Sequence, residues 1–145
     1  MISKWGSDMA EKFVFQEEGS IGVFEGLSVC YQRPLHFHDC LEMNLIMEGH
    51  GTNFVEDRVY EMSKGELYLL NNFEHHISMS DGTLKMKVLV FYPEFVWQNV
   101  PENYDYLVAF YRNNTKFKNR IMLTEDAYQY VLNCFLFIEN EVKEK

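Results

Sequence analysis

Pro34-Leu35-His36-Phe37-His38-Asp39-Cys40-Leu41-Glu42, running on to Gly49, is the stretch that decides the fold. In extended chain, side chains alternate between two faces. His36, His38 and Glu42 share parity, with Cys40, Asn44 and Ile46 beside them. The opposite parity is apolar: Phe37, Leu41, Met43, Leu45 and Met47. A polar cluster opposite an apolar face suits a strand whose outer face is packed and whose polar cluster lines a cavity. A turn near Asp39 would break strict parity, and a hairpin could still bring the three polar groups together.

The bulk composition limits the function classes. A chain of 145 residues with 47% hydrophobic and 16% aromatic residues is long enough and apolar enough for one domain with a sizeable core. No apolar run reaches the roughly 20 residues that span a bilayer, and residues 1–16 carry no cationic-then-apolar leader pattern. Cys30, Cys40 and Cys134 are odd in number and lack zinc-ribbon spacing, which reads as reduced thiols in a cytoplasmic protein. A net charge of −9 without a basic stripe argues against direct binding to a phosphate backbone and implies no membrane partner.

Outward from the central stretch, short strands alternate with turns. Phe13 to Tyr31 reads as strands broken at Glu17-Ser20 and Glu25-Gly26. Glu48-Gly49-His50-Gly51 is a tight turn. A hairpin follows around Glu56-Asp57, then a turn at Ser63-Glu66 and an apolar strand from Leu67 to Leu70. His75 to Met79 reads as a strand stopped by Ser80-Asp81-Gly82. Leu84 to Tyr92 is another, with Lys85 and Lys87 on one face and Leu84, Met86, Val88 and Val90 on the other; Leu89 and Phe91 imply cover on both sides near its end. After Pro93 the period becomes helical, with pieces near Pro93 and from Asn103 to Tyr111, a break at Asn113-Asn114, and an ambiguous run from Phe117 to Leu123. Thr124 is a candidate N-cap for a last helix of about 33 Å that carries Tyr128, Val131, Leu132, Phe135, Ile138 and Val142 on one stripe. Phe137 lies off that stripe, so the helix reads as two-sided, with a partner molecule as well as its own barrel. The helical pattern runs to Lys145 without a glycine or proline stop, and the expectation is that the natural chain continues.

Imidazoles and a carboxylate together suit zinc, iron, manganese, nickel or copper. Three protein ligands hold a metal with positions left open. A fourth ligand could come from His75 or His76, only one of which can point into a cavity. His50, between two glycines, reads as a solvated turn residue, and Cys40 as a small core residue rather than a redox sensor. Phe54, Tyr60, Tyr68 and Tyr92 could stack on an effector, although strand aromatics are more often plain core.

These residues resemble the cupin superfamily, and above all the N-terminal effector-binding domain of AraC-family transcription regulators. His36, His38, Glu42 and Gly49 match the first cupin motif in order and spacing, with Cys30 where many cupins open on glycine. Gly65 and His76 match the second motif; its proline and second glycine are Asn71 and Phe73 here, and its closing asparagine is Ser80. Gly-Glu-Leu-Tyr-Leu-Leu before the second histidine is typical of the regulators. The resemblance implies a mainly β fold: a cupin-type antiparallel β-barrel (a double-stranded β-helix, or jelly roll) over residues 1–92, followed by C-terminal α-helices over 93–145 that form a homodimer. It implies an effector pocket at His36, His38, Glu42, Asn44, Tyr60, Tyr68 and His76, with His36, His38, Glu42 and His76 as the ligands of any divalent metal (Zn, Ni, Fe or Mn). The effector is a small molecule, with sugar as the family-level expectation. DNA would be reached only through helix-turn-helix motifs that this sequence does not contain. The alternatives are a metal-dependent cupin enzyme, an isomerase or dioxygenase with a three-histidine, one-glutamate site, and a ligand-free dimerisation module.

Overall fold

The computed structural model describes residues 21–29, 35–100, 105–112 and 119–144. The strands expected between Phe13 and Gln16, Cys30 and the break at Asn113-Asn114 lie outside the described residues. Strands β1 (Ile21–Val29), β2 (Leu41–Glu48), β3 (His50–Val55), β4 (Arg58–Ser63), β5 (Glu66–Leu70) and β6 (His76–Phe91) precede helices α1 (Pro93–Asn99) and α2 (Asp105–Tyr111). A short strand β7 (Arg120–Met122) and helix α3 (Glu125–Lys143) follow. The fold is mainly antiparallel β, a curled sheet with a C-terminal helix.

The sheet runs β4-β3-β6-β2-β5-β7, and β1 also pairs with β6. One strand holds this order together. The first half of β6, His76 to Ser80, pairs with β3, and its second half, Lys85 to Phe91, pairs with β2 on one side and β1 on the other. The stop expected at Ser80-Asp81-Gly82 is therefore a corner inside one strand of 16 residues. Gly82 takes a φ of 99° there, and Ser80 Oγ accepts from the amides of Gly82 (3.2 Å) and Leu84 (3.1 Å) while donating to the His50 carbonyl (2.9 Å). A serine hydroxyl thus satisfies the amides that the bend removes from the ladder. Gly49 packs against the same corner with a φ of 77°, and a Cβ at that position would lie 2.1 Å from the Thr83 carbonyl oxygen. That close approach explains the motif glycine.

The two faces of the sheet form two cores. Ile46, Val55, Tyr60, Met62, Tyr68, Leu70, Leu84, Met86, Val88 and Val90 cluster on the inner face with Cys40. Leu41, Leu45, Leu67, Leu69, Leu89 and Phe91 face outward and are covered by Leu107, Phe110, Tyr128 and Phe135 from the helices. The apolar parity of β2 is thus a packed outer face, and Leu89 and Phe91 are covered as their position implied. Lys87 is not solvated beside Lys85. It is buried under α3, where its Nζ donates to Glu139 Oε2 at 2.7 Å, a pair that fixes the helix angle on the sheet. Thr124 caps α3 by accepting from the Ala127 amide at 3.3 Å, and Glu125 and Asp126 occupy the favourable first turn.

The apolar stripe of the last helix, which the sequence reading placed between the chain's own barrel and a dimer partner, packs on the chain's own sheet. Tyr128 and Phe135 are buried against it, with Val131, Leu132 and Ile138 packed around them and Val142 half-buried. Tyr130, Phe137 and Leu136 are exposed instead. The ambiguous run before Thr124 contributes β7, which pairs with β5 from Glu66 to Tyr68, so the region after residue 92 is not wholly helical.

Candidate functional site

Backbone pairing assembles the site. His36 and His76 form a two-way bridge, in which the His36 amide donates to the His76 carbonyl at 3.2 Å and the His76 amide donates to the His36 carbonyl at 2.8 Å. The chain bends at Asp39-Cys40 and enters β2, where Glu42 lies opposite Leu70 and Val90. The interrupted parity at Asp39 therefore does not separate the groups. The ring centroids of His36 and His76 are 4.6 Å apart, and those of His38 and His76 are 4.9 Å apart. One ligating nitrogen from each of the three rings lies within 4.8 Å of the other two. Glu42, 6% exposed, places Oε2 2.7 Å from His38 Nε2 and 3.5 Å from His76 Nε2. Asn44 Nδ2 donates to Glu42 Oε1 at 2.6 Å.

Two carbonyls fix how these rings carry their protons. His38 Nδ1 lies 3.0 Å from the Cys40 carbonyl and His76 Nδ1 lies 2.9 Å from the Glu74 carbonyl. A carbonyl only accepts, so each Nδ1 carries a proton. The 2.7 Å contact between His38 Nε2 and Glu42 then needs a further proton, which makes it charge-assisted. On His76 the opposite nitrogen, Nε2, is buried and stands 3.5 Å from Glu42 Oε2 without hydrogen-bond geometry. Burial pushes the Glu42 carboxyl up, but the imidazoles of His76 and His38 outweigh it and hold the carboxyl well below its usual range.

The donor set fits a divalent metal. Three imidazoles place a ligating nitrogen each within 4.8 Å of the other two, the Glu42 carboxylate touches two of the rings, and two Nδ1–H groups are anchored on carbonyls as ligating histidines require.

Other sequence-predicted residues fall elsewhere. His75 turns outward and accepts a partner in Glu56, 3.0 Å from its Nδ1, and His50 is exposed. Cys40 is fully buried, and burial, with Glu42 and Asp39 nearby, pushes its thiol up to about 12, which makes it inert. Tyr60 and Tyr68 are core: they meet edge to face at 5.6 Å, and their hydroxyls donate to Asn119 (3.3 Å) and Glu66 (2.8 Å). Phe54 and His50 help line an open cleft of about 370 Å³ with Thr52, Glu61, Met79 and Asp81, on the face of β3 turned away from the core. Phe73, at the motif's second glycine, holds a φ of 74° and is 61% exposed, a backbone strain of about 1–3 kcal/mol that glycine would not carry.

A second polar network was not legible in the sequence. Asn119 Nδ2 donates to Glu74 Oε2 (3.0 Å) and to the Leu69 carbonyl (3.1 Å), and its Oδ1 accepts from Arg58 (3.1 Å) and Tyr60. Through Glu74 this hub touches the segment that anchors His76, and through β7 it leads to the cap of α3. Its only sequence signal is an asparagine, a residue that tolerates the φ of 25° found here.

A model of the AraC-like ligand binding domain matches residues 21–126. The chain belongs to this family. That membership makes it a regulatory ligand-binding domain rather than an enzyme. A similar sequence is the HTH-type transcriptional activator RhaR of Shigella dysenteriae serotype 1 (strain Sd197), 26% identical over 68 residues that cover 45% of this chain and 24% of RhaR. Among solved structures, apo ToxT from Vibrio cholerae strain SCE256 aligns with a TM-score of 0.53 at 13% identity, over 82% of this chain and 48% of ToxT. Wild-type ToxT with a bound unsaturated fatty acid aligns at 0.51 and 18% identity, over 77% of this chain and 43% of ToxT. The AraC-like domain therefore spans less than half the length of these relatives, and the ToxT likeness concerns the fold.

The buried carboxylate has a consequence in acid. Its folded-state value lies below the unfolded one of about 4.5, so the ionised form stabilises the fold above that pH, and the contribution is lost as pH falls through the folded value. Melting temperatures recorded from neutral to acid pH should fall more steeply for the natural protein than for Glu42→Gln; parallel curves would contradict the assigned role of the carboxylate.

Proposed function

We propose that this domain senses a small effector inside the barrel, beside His36, His38, Glu42 and His76, for a transcription regulator whose DNA-binding part lies outside residues 1–145. The observation that carries this reading is the convergence of buried His38, Glu42 and His76 with half-buried His36, inside a domain of a ligand-binding family. An effector group that hydrogen-bonds to this cluster, or an oxygen held there through a metal, completes it. Binding shifts the regulator only by its difference in affinity between arrangements of the domain. We propose a cytoplasmic location with no membrane partner, as expected of a transcription regulator.

The three-histidine donor set favours a second, compatible reading, in which the cluster holds a divalent ion. His36, His38 and His76 would ligate it with Glu42, and the proton between His38 and Glu42 would leave. When bound, the ion would supply a Lewis-acidic position for an effector oxygen.

A thermal-shift screen with zinc, nickel, iron and manganese salts, sugars, organic acids and fatty acids tests both. The expected result is a rise of several degrees with at least one small molecule, abolished in His76→Ala. Silence across all organic probes would contradict effector sensing. Silence across the metals alone would remove the second reading.

We also propose a homodimer through α3, on the side opposite the buried stripe. Tyr130, Cys134 and Phe137 recur there at spacings of four and three, with Tyr130 72% and Phe137 66% exposed. Light scattering should give a dimer for the natural chain and a folded monomer for Tyr130→Glu with Phe137→Glu. In contrast, Phe135→Ala should cost about 3–5 kcal/mol of stability by opening the outer core. A double variant that remains dimeric would exclude this face.

A further inference from the structure

Residues 119–123, the run that contains β7, are held in place differently from the rest of the sheet. Strand β7 has three residues and pairs only with Glu66 to Tyr68 of β5. Beyond that ladder, the Asn119 carbonyl accepts from the Leu69 amide at 2.8 Å and the Leu123 amide donates to the Gly65 carbonyl at 3.0 Å. Towards β4 the run makes no ladder, since β4 and β7 stand at opposite ends of the strand order. Side chains take its place. Arg120 Nη1 donates to the Glu61 carbonyl at 3.4 Å, and its guanidinium lies 5.4 Å from the centroid of the Tyr60 ring. Arg58 and Tyr60 both donate to Asn119 Oδ1.

This is a strap rather than a core strand. Met122 is 68% exposed, so letting go uncovers little apolar surface. Short, exposed elements held by few main-chain bonds occupy the low-stability end of a native structure. Asn119 also holds a φ of 25°, a left-handed conformation that its surroundings impose. Relief of that backbone favours release, while the side-chain bonds favour the closed form. The strap is fastened at both ends to something that matters. Asn119 Nδ2 donates to Glu74 Oε2 at 3.0 Å, and the Glu74 carbonyl holds His76 Nδ1 at 2.9 Å. At the other end Leu123 precedes Thr124, the N-cap of α3, whose carbonyl accepts from the Tyr128 amide at 2.8 Å.

We propose that residues 119–123 form a releasable regulatory strap that ties the histidine cluster to the start of α3. Closed, it fixes Glu74 behind His76 and fixes the first turn of α3; released, it frees both together. A change at the cluster that moves Glu74 thereby alters α3, and a change at α3 alters the cluster by the same coupling. Coupling between distant sites requires such a two-state element, biased from either end. The strap's purpose rests on the effector-sensing reading above, whereas its opening is a property of the free chain.

The test is native-state hydrogen exchange, followed by NMR, on the 145-residue chain and on Arg120→Met. Four protons report the strap: the amides of Leu69, Leu123 and Tyr128, and the ring proton on His76 Nδ1. In the natural protein they should share one opening equilibrium, less protected than the amides of β2 and of Lys85 to Phe91 in β6. Arg120→Met removes a side chain that touches neither His76 nor α3. It should speed all four by about tenfold, as loss of a hydrogen bond with its stacking contact implies. The β2 and β6 amides, and the ring proton on His38 Nδ1 that the Cys40 carbonyl holds, should keep their rates. Arg120→Lys keeps a positive charge beside buried Glu66, so the fold is retained, and should give the same pattern at smaller amplitude. Acceleration confined to Leu69 and Leu123, equal acceleration throughout the sheet and at His38, or no acceleration in either variant would each overturn the strap. None of these outcomes involves an effector. Silence of the organic probes in the thermal-shift screen would reject sensing and leave the strap standing, and a failed exchange pattern would do the reverse.

Discussion

A carboxylate buried inside a sheet is the constraint from which the rest follows. Glu42 is almost wholly removed from water, and an isolated buried charge would cost far more than a domain of this size can offset. It remains ionised because His38 reaches one oxygen at 2.7 Å, Asn44 the other at 2.6 Å, and His76 stands 3.5 Å away. Each partner is held in turn: His38 by the Cys40 carbonyl, His76 by the Glu74 carbonyl and by its backbone bridge to His36. The result is a preorganised polar point in an apolar interior, which is what small-molecule recognition requires.

The sheet serves two functions with its two faces. Its inner face holds the cluster, while its outer face is the floor on which α3 lies, tied down by Phe135 and by the Lys87–Glu139 pair. Residues of the same strand therefore touch both the site and the helix: Val88 and Val90 face in, Lys87, Leu89 and Phe91 face out. Asn119 adds a second connection, from Glu74 beside the histidines to β7 and the cap of α3. The proposed sensing role would use this arrangement, which puts the cluster and the floor of α3 on the same strands.

Much of this was legible in the sequence because it depended on local spacing. Alternation in β2, the turn glycine at Gly49, the N-cap at Thr124 and the motif positions of His36, His38, Glu42 and His76 are all short-range patterns. What escaped depended on distant partners. Ser80-Asp81-Gly82 looks like a strand end, and only the His50 carbonyl, thirty residues away, shows it to be a corner. Lys87 shares a face with Lys85 in the sequence, and nothing local shows that Glu139, 52 residues later in the chain, covers it. Glu66, Glu74 and Asn119 look like surface residues and are buried because they satisfy one another's neighbours across β4, β5 and β7. The helix stripe was recognised correctly as apolar, but its period cannot say which molecule covers it; the sheet does so here.

Ring-nitrogen NMR of the histidines at mildly alkaline pH tests the buried cluster most directly. The geometry predicts that His76 keeps a proton on Nδ1, against the Glu74 carbonyl, and that His38 keeps a proton on Nδ1 and another in its contact with Glu42, all slow to exchange, while the ring protons of exposed His50 exchange quickly with solvent. Rapid exchange and averaged tautomers at His38 and His76 alike would mean that these rings stand in water, and the account of an inward-facing site would fail.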